Sequence, residues 1–347
     1  METVARIRRG SWVRWTILGA ALAVGSFGTA AALTLLVPRG GGRQVEFVVT
    51  PGMTLGQVAA RLADAEIIRS RWAFRLAGRV AGVDTRVKRG RYPLSSDQSS
   101  VDILRLLDEG RVALLRFTIP EGLTVEQTAE IIDGQTGVTA EAFLAHVRSV
   151  DASSLLGFPA DGMEGYLFPD TYLITEDGGA EDIVDTMVEA FHRAVGDSFA
   201  REAWSVGLTP HEVVTLASLI EKEAQVAEER PRISAVFHNR LARGRRLAAD
   251  PTVRYALKRW TGRLTYEDLE VDSPYNTYRV AGLPPGPIAS PGTASIDAAL
   301  HPAPGVDDLY FVARGDGSHQ FSKTLEAHLR AKEALKRTLR SRRSQPG

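Results

Sequence analysis

Between Thr16 and Val37 the chain carries 22 consecutive residues without a charged side chain, most of them Ala, Leu, Val, Gly, Ile or Thr. As a helix this stretch reaches about 33 Å, against a bilayer hydrocarbon core of about 30 Å. It has no polar face to turn to water, so it does not read as a helix buried in a soluble domain. Arg6, Arg8, Arg9 and Arg14 precede it, and Arg39 and Arg43 follow. The heavier basic flank predicts a cytoplasmic N-terminus and an extracytoplasmic location for everything after Pro38. Trp12 and Trp15 stand where interfacial aromatics are expected. The competing reading is a cleaved signal peptide, with Thr29-Ala30-Ala31-Ala32 as small residues near a cleavage site. The apolar run continues through Leu33, Leu35, Leu36 and Val37, longer than a signal peptide's apolar core, so a retained single-pass anchor is the expectation.

The anchor divides the chain into a cytoplasmic segment, 1–15, a membrane helix, 16–37, and a large outer part. Residues 38–43, with glycines at 40, 41 and 42, read as a short flexible link. The rest of the 347 residues suffices for roughly two domains of about 150 residues. The chain has no cysteine, which excludes disulfides, Cys-ligated zinc, iron–sulfur clusters, thiol catalysis and a lipidated N-terminal Cys. Its 42 Lys and Arg balance 42 Asp and Glu, which argues against a nucleic-acid partner held by a broad basic field.

Two segments resemble each other. Val45-Glu46-Phe47-Val48-Val49-Thr50-Pro51-Gly52-Met53-Thr54-Leu55 is echoed by Leu115-Arg116-Phe117-Thr118-Ile119-Pro120-Glu121-Gly122-Leu123-Thr124-Val125. Each reads as a strand, a turn with Pro and Gly, a Thr N-cap and an amphipathic helix. Two more helices, from Ser70 to Ala81 and from Ser100 to Leu107, flank a short strand at Gly90–Leu94. Residues 44–135 are therefore expected to form a small α+β module. Its strand–PxGxT–helix opening is similar to LysM-type glycan-binding modules, and a spacer with no binding role is the open alternative.

From 136 to 330 the pattern is mainly helical. Helical spacing runs over Thr139–Val150, Ala180–Val195, Pro210–Ala224 and Glu228–Leu241, and Asp250-Pro251 opens another helix. A β-hairpin is expected where Leu309–Val312 and His319–Phe321 flank Arg314-Gly315-Asp316-Gly317. A last helix runs from Thr324 to Leu339, and the basic end, within 331–347, reads as a solvated tail.

The strongest chemical signal is Leu216-Ala217-Ser218-Leu219-Ile220-Glu221-Lys222-Glu223, an apolar helix that ends in two carboxylates. At 100° per residue Glu223 continues the face of Leu216, Leu219 and Ile220, while Lys222 points away and Glu221 follows Val214 and Ala217. A carboxyl on such a face is desolvated, its pKa rises, and it can serve as a general acid near neutral pH. The plainer alternative is a carboxylate paired with Arg230 or Arg232. Tyr275-Asn276-Thr277-Tyr278 and the proline-stiffened Gly282–Ile288 stretch form a second candidate, suited to ligands rich in hydroxyl and amide groups. The seven His residues have no zinc-binding spacing, and no P-loop, dinucleotide fingerprint or nucleophile elbow occurs, so neither a metal nor a cofactor is expected.

Taken in order, these motifs resemble the YceG-like family of endolytic murein transglycosylases. The matching stretches are Glu164–Tyr172, Ala217–Glu223, Val236–Leu241, Asp250–Val253, Tyr275–Tyr278, Gly282–Ile288, His301-Pro302 and Leu309–Val312. The resemblance implies an α+β architecture with one N-terminal transmembrane helix, a LysM-like module and a transglycosylase domain. It implies that Glu223, the second Glu of Glu-Lys-Glu, is catalytic, with Glu221, Tyr275, Asn276 and Tyr278 as candidate substrate-binding residues. The implied reaction cleaves the MurNAc–GlcNAc β-1,4 bond within nascent peptidoglycan strands and leaves 1,6-anhydro-MurNAc ends, limiting strand length. Implied partners are the glycan strands and membrane-embedded peptidoglycan synthases. Two alternatives stay open: a non-catalytic peptidoglycan-binding scaffold for a synthase, and a hydrolase that recruits Glu164, Asp170 or Asp250 as a second carboxylate.

Overall fold

The computed structural model describes residues 33–343 apart from 51, 84–86, 89, 111–113 and 177. The expected membrane segment therefore lies outside the described residues except for its end, where 33–36 are helical. Among the described residues no helix is long and apolar enough to cross a membrane. The fold is α+β, with many helices and three two-stranded sheets. It divides into two compact units, one running to Leu115 and including Thr175–Gly178, the other comprising Arg116–Ile174 and the chain from Gly179 onward.

The first unit contains β1 (Gln44–Val49), α1 (Leu55–Asp64), α2 (Arg71–Val80), β2 (Gly90–Ser95) and α3 (Ser100–Glu109). The strands pair antiparallel, Phe47 opposite Tyr92 and Val45 opposite Leu94. Strand alternation sends Phe47, Val49, Tyr92 and Leu94 to one face. There they meet Leu55, Val58 and Leu62 of α1, Phe74 of α2 and Ile103, Leu104 and Leu107 of α3. Both α1 and α3 begin in capping boxes, Thr54 with Gln57 and Ser99 with Asp102, which satisfy backbone N–H groups that the helix start leaves free. Gly78 lets α2 settle onto α1, since a Cβ there would lie 2.5 Å from a Leu55 methyl.

The glycine-rich stretch 38–43, expected to be flexible, is tied down. Arg69 donates to the Pro38 carbonyl at 2.7 Å, and Arg39 and Arg43 both pair with Glu66, at 3.1 and 2.7 Å. The Gly40 N–H donates to the Ser96 carbonyl at 2.8 Å. Gly40, Gly41 and Gly42 have φ of 79°, 100° and 64°, so glycine serves here to bring the backbone against the unit rather than to loosen it.

The second unit holds β3 (Leu114–Thr118) from Arg116 on, α4 (Val125–Gln135), α5 (Ala140–Ser149), α6 (Ala152–Leu156), β4 (Thr171–Thr175) up to Ile174, α7 (Ala180–Val195) and α8 (Phe199–Ser205). Next come α9 (Pro210–Glu223), α10 (Arg230–Ala242), α11 (Asp250–Ala256), α12 (Thr293–Leu300), β5 (Tyr310–Ala313), β6 (His319–Ser322) and α13 (Leu325–Arg343). Residues 116–135, grouped with 44–115 on sequence similarity, pack in this second unit, so the two look-alike segments open one unit each. Strand β3 pairs with β4, and β5 pairs antiparallel with β6 as the expected hairpin.

Helix α9 is the axis of the unit. Every residue from Val213 to Ile220 is buried, which matches its unbroken apolar sequence. It packs against α12, α10, α8 and α11. Thr209 caps its start in a box with Glu212, and Pro210 occupies the first turn, where a missing N–H costs nothing. Sequence periodicity does not foresee β4, α6, α8 or α12. All are eight residues or shorter, too brief to display a period.

Candidate functional site

Glu223 is the last residue of α9, and the chain leaves the helix at Ala224 with φ −76° and ψ 115°. Because the helix is buried on all sides, its final turn carries Glu223 inward. The residue keeps limited exposure, yet burial pushes its pKa from 4.5 up to about 8. The Asp250 carboxylate adds to the rise, and the Arg240 guanidinium opposes it. Burial thus favours the protonated form, and no hydrogen bond commits the carboxyl to another protein group.

Asp250 is the exposed first residue of α11, and the buried Pro251 after it directs the chain into the helix. The Tyr278 hydroxyl donates to Asp250 Oδ1 at 2.5 Å. Burial, followed by that bond to Asp250, raises the phenol's pKa well above its ordinary value, so it remains a donor. The loop carrying Tyr278 is held from within. Fully buried Asn276 donates through Nδ2 to the Leu269 and Val271 carbonyls at 2.9 and 2.8 Å, and its Oδ1 accepts from the Tyr278 N–H at 3.0 Å. Thr277 Oγ1 accepts from the Ala249 N–H at 3.0 Å and lies 2.9 Å from Thr252 Oγ1, which locks the loop onto the start of α11.

A second buried carboxyl with a raised pKa, this one hydrogen-bonded, is Glu164. Glu164 Oε1 accepts from the first N–H of α4, that of Val125, at 3.2 Å, and its Oε2 accepts from the Tyr255 hydroxyl at 3.3 Å. Burial dominates, and its pKa rises to about 8. The Tyr255 ring packs on Tyr275 with centroids 4.8 Å apart. Tyr255 and Asp250 belong to the same short helix, so α11 links the Glu223 end of the site with the Glu164 end.

The proline-rich loop is clamped against α9 from three sides. Ser218 Oγ accepts from the Ile288 N–H at 3.0 Å. His211 Nε2 donates to the Pro285 carbonyl at 2.8 Å, which leaves Nδ1 to accept from the Tyr166 hydroxyl at 2.6 Å. Gly165 has φ 88°, and a Cβ on it would sit 2.4 Å from Pro287. Glycine is therefore required there on two counts.

Of the residues singled out from the sequence, the fold brings together Glu223 and Tyr278, and places Tyr275 in the adjoining aromatic patch. Asn276 and Glu221 are turned into the protein. Glu221 Oε2 accepts from the Gly292 N–H at 3.1 Å and from Ser295 Oγ at 2.7 Å, while Oε1 faces Arg230 at 3.4 Å. It thus caps α12, whose own N-cap is a glycine without a side chain to do so. Sequence reasoning read Asp250 mainly as a helix start and did not single out Arg240 or Tyr255. Their only advance signal was membership of the family-like stretches or nearness to them. Among the described residues no three His, Asp or Glu side chains come together in a way that could hold a metal ion.

The YceG-like family model matches residues 47–334. A protein of Bacillus subtilis named endolytic murein transglycosylase is 34% identical over 305 residues, covering 83% of this chain and 84% of that protein. One of the same name from Streptococcus pneumoniae D39 is 31% identical over 338 residues, covering 88% of this chain but 61% of that longer protein. The crystal structure of a YceG-like protein from Listeria monocytogenes superposes with a TM-score of 0.54 at 32% identity, covering 84% of this chain and 100% of that one.

Proposed function

Because the chain belongs to the YceG-like family, we propose that it is an endolytic murein transglycosylase that uses Glu223 as its single acid and base. The observation that carries this reading is a desolvated, hydrogen-bond-free carboxyl with a pKa of about 8, seated where a buried helix ends. Such a group holds its proton at neutral pH and can deliver it.

Glu223 donates its proton to the glycosidic oxygen between MurNAc and GlcNAc as that C–O bond breaks. Positive charge then builds on C1 and the ring oxygen of the muramic residue. The Asp250 carboxylate, steadied by the Tyr278 hydroxyl and close enough to raise the Glu223 pKa, is a negative charge that can offset it. Glu223, now a carboxylate, takes the proton from the muramic C6 hydroxyl, whose oxygen bonds to C1 and closes the 1,6-anhydro ring. Water is neither consumed nor released, and Glu223 recovers its starting state. Inverting and retaining hydrolases need two working carboxyls. Here intramolecular attack replaces the second, and a C6 hydroxyl tethered to its own ring has a large proximity advantage over water. The Tyr255–Tyr275 surface suits the flat faces of adjoining sugars, while Asn276 and Glu221 hold the loop and α12 in position.

The finer assignments follow the same reading. Residues 16–37 anchor the protein in the cell membrane with the N-terminus in the cytoplasm, and the first unit, with its strand–helix–helix–strand order, is a LysM-like module that engages glycan. An anchored enzyme facing outward meets strands as membrane-embedded peptidoglycan synthases extend them, so its cuts limit strand length. The test is mass spectrometry of product ends from uncrosslinked glycan strands, with wild type and Glu223→Gln side by side. Anhydro-muramic ends from wild type alone are expected. Reducing ends would replace the proposal with a hydrolase and make Asp250 the candidate base. Binding without cleavage would point to a scaffold.

A further inference from the structure

Helix α2 has two sharply different faces. Ala73, Phe74 and Gly78 are buried in the first unit, while Arg71, Trp72, Arg75, Leu76, Arg79 and Val80 are exposed. Trp72, Leu76 and Val80 recur every four residues and retain 58%, 46% and 83% of their accessible surface. Arg71, Arg75 and Arg79 recur at the same spacing directly beside them, and the helix contains no acidic residue. Two parallel stripes, one apolar with a tryptophan and one wholly cationic, are the composition of a helix that lies in a membrane interface.

The chain that follows the apolar segment is fastened next to α2. The apolar segment ends at Val37, and Arg69 donates twice to the Pro38 carbonyl, at 3.2 and 2.7 Å. Arg39 donates to the Ile68 carbonyl at 3.4 Å and pairs with Glu66. The residues that leave the apolar segment are thus fastened to the turn immediately before α2, and Trp72 is three residues beyond Arg69. The chain at Pro38 and Arg39 is thereby held close to the start of this helix.

We infer that the exposed face of α2 docks on the anionic headgroups of the membrane in which the chain is anchored, with Trp72, Leu76 and Val80 in the interface and the three arginines on lipid phosphates. This rests on the proposed anchor for its direction. It also gives the tied-down 38–43 stretch a role, since it holds the first unit at the bilayer surface instead of letting it swing. Three arginines at an anionic surface shift the docked-to-free ratio by roughly a hundredfold.

The chain has no cysteine, so single nitroxide labels can be placed in the full-length protein by Val80→Cys, Phe27→Cys and, as a control on a 91% exposed residue of the second unit, Tyr266→Cys. Each protein is reconstituted in phosphatidylcholine vesicles with and without phosphatidylglycerol, and collisions with oxygen and with a water-soluble nickel chelate are read. Docking predicts a label at 80 that gains oxygen contact and loses nickel contact several-fold in the anionic vesicles, while 266 stays in water. The triple change Arg71→Gln, Arg75→Gln, Arg79→Gln should abolish that shift. A label at 80 that stays in water, or that is shielded by added glycan strands but not by lipid, overturns the inference. The label at 27 reports the anchor separately: 27 in water with 80 in lipid keeps the docking and discards the anchor.

Discussion

Replacing Glu223 by Gln keeps the shape of the side chain and removes its titration, so the substitution tests the desolvation argument through stability as well as turnover. In the folded wild type the carboxyl stays protonated up to a pKa of about 8, against an ordinary value of 4.5 for an unfolded glutamate. A raised folded-state pKa contributes stability that is fully present below the unfolded value and is lost as pH rises through the folded one. Relative to the Gln protein, which does not titrate, wild type therefore loses about 1.4 kcal/mol per pH unit over that interval. The difference is under about 1 kcal/mol at pH 5, about 3 kcal/mol at pH 7, and levels off near 5 kcal/mol above pH 8. Urea unfolding of both proteins at pH 5, 6, 7 and 8 measures it. Glu223→Gln should be catalytically dead at every pH and progressively more stable than wild type as pH rises. A stability gap that does not change with pH, or a Gln protein that is less stable at pH 7, would refute the claim that burial holds the proton on Glu223.

In the proposed mechanism turnover needs protonated Glu223, so kcat/KM should fall on the alkaline side near pH 8; Asp250→Asn removes the repulsion that helps raise this pKa, so the limb should move to lower pH, and a limb that stays put would separate Asp250 from Glu223. Gly165→Ala places a Cβ 2.4 Å from Pro287 at a φ of 88° and should cost about 2–3 kcal/mol in thermal unfolding, with activity falling as the proline loop shifts. Asn276→Ala strips two carbonyls and the Tyr278 N–H of their partner and should cost about 2–3 kcal/mol; if crystals of the variant kept Tyr278 on Asp250, the positioning role assigned to Asn276 would be wrong.

How far the sequence discloses the site depends on which physical signal each residue leaves. The burial around Glu223 was legible because helical periodicity placed it on the face of Leu216, Leu219 and Ile220, a face that is wholly buried, whereas the catalytic role proposed for it came from the family resemblance. Glu221 is two residues away with the same side chain, and periodicity left it ambiguous. Its fate depends on Gly292 and Ser295, which lie about seventy residues further along and arrive with α12. Asn276 has the chemistry of a sugar-binding residue, but three backbone partners within its own loop claim it first. Local composition cannot tell a donor that faces a ligand from one that faces a carbonyl.

From the sequence alone came what local spacing and chemistry control: the Thr N-caps at Thr54 and Thr124, the helix that is α2, the all-apolar α9 and its terminal acid. These need only the 3.6-residue period, the hydrogen-bonding needs of a helix start and the free energy of burying apolar surface. Tertiary structure alone decided which carboxyl remains unclaimed, that Asp250 and Tyr278 stand beside Glu223, and that 38–43 is bound rather than loose. Each of these depends on a partner distant in sequence, and a buried polar group takes whichever partner the packing of the helices brings within about 3 Å.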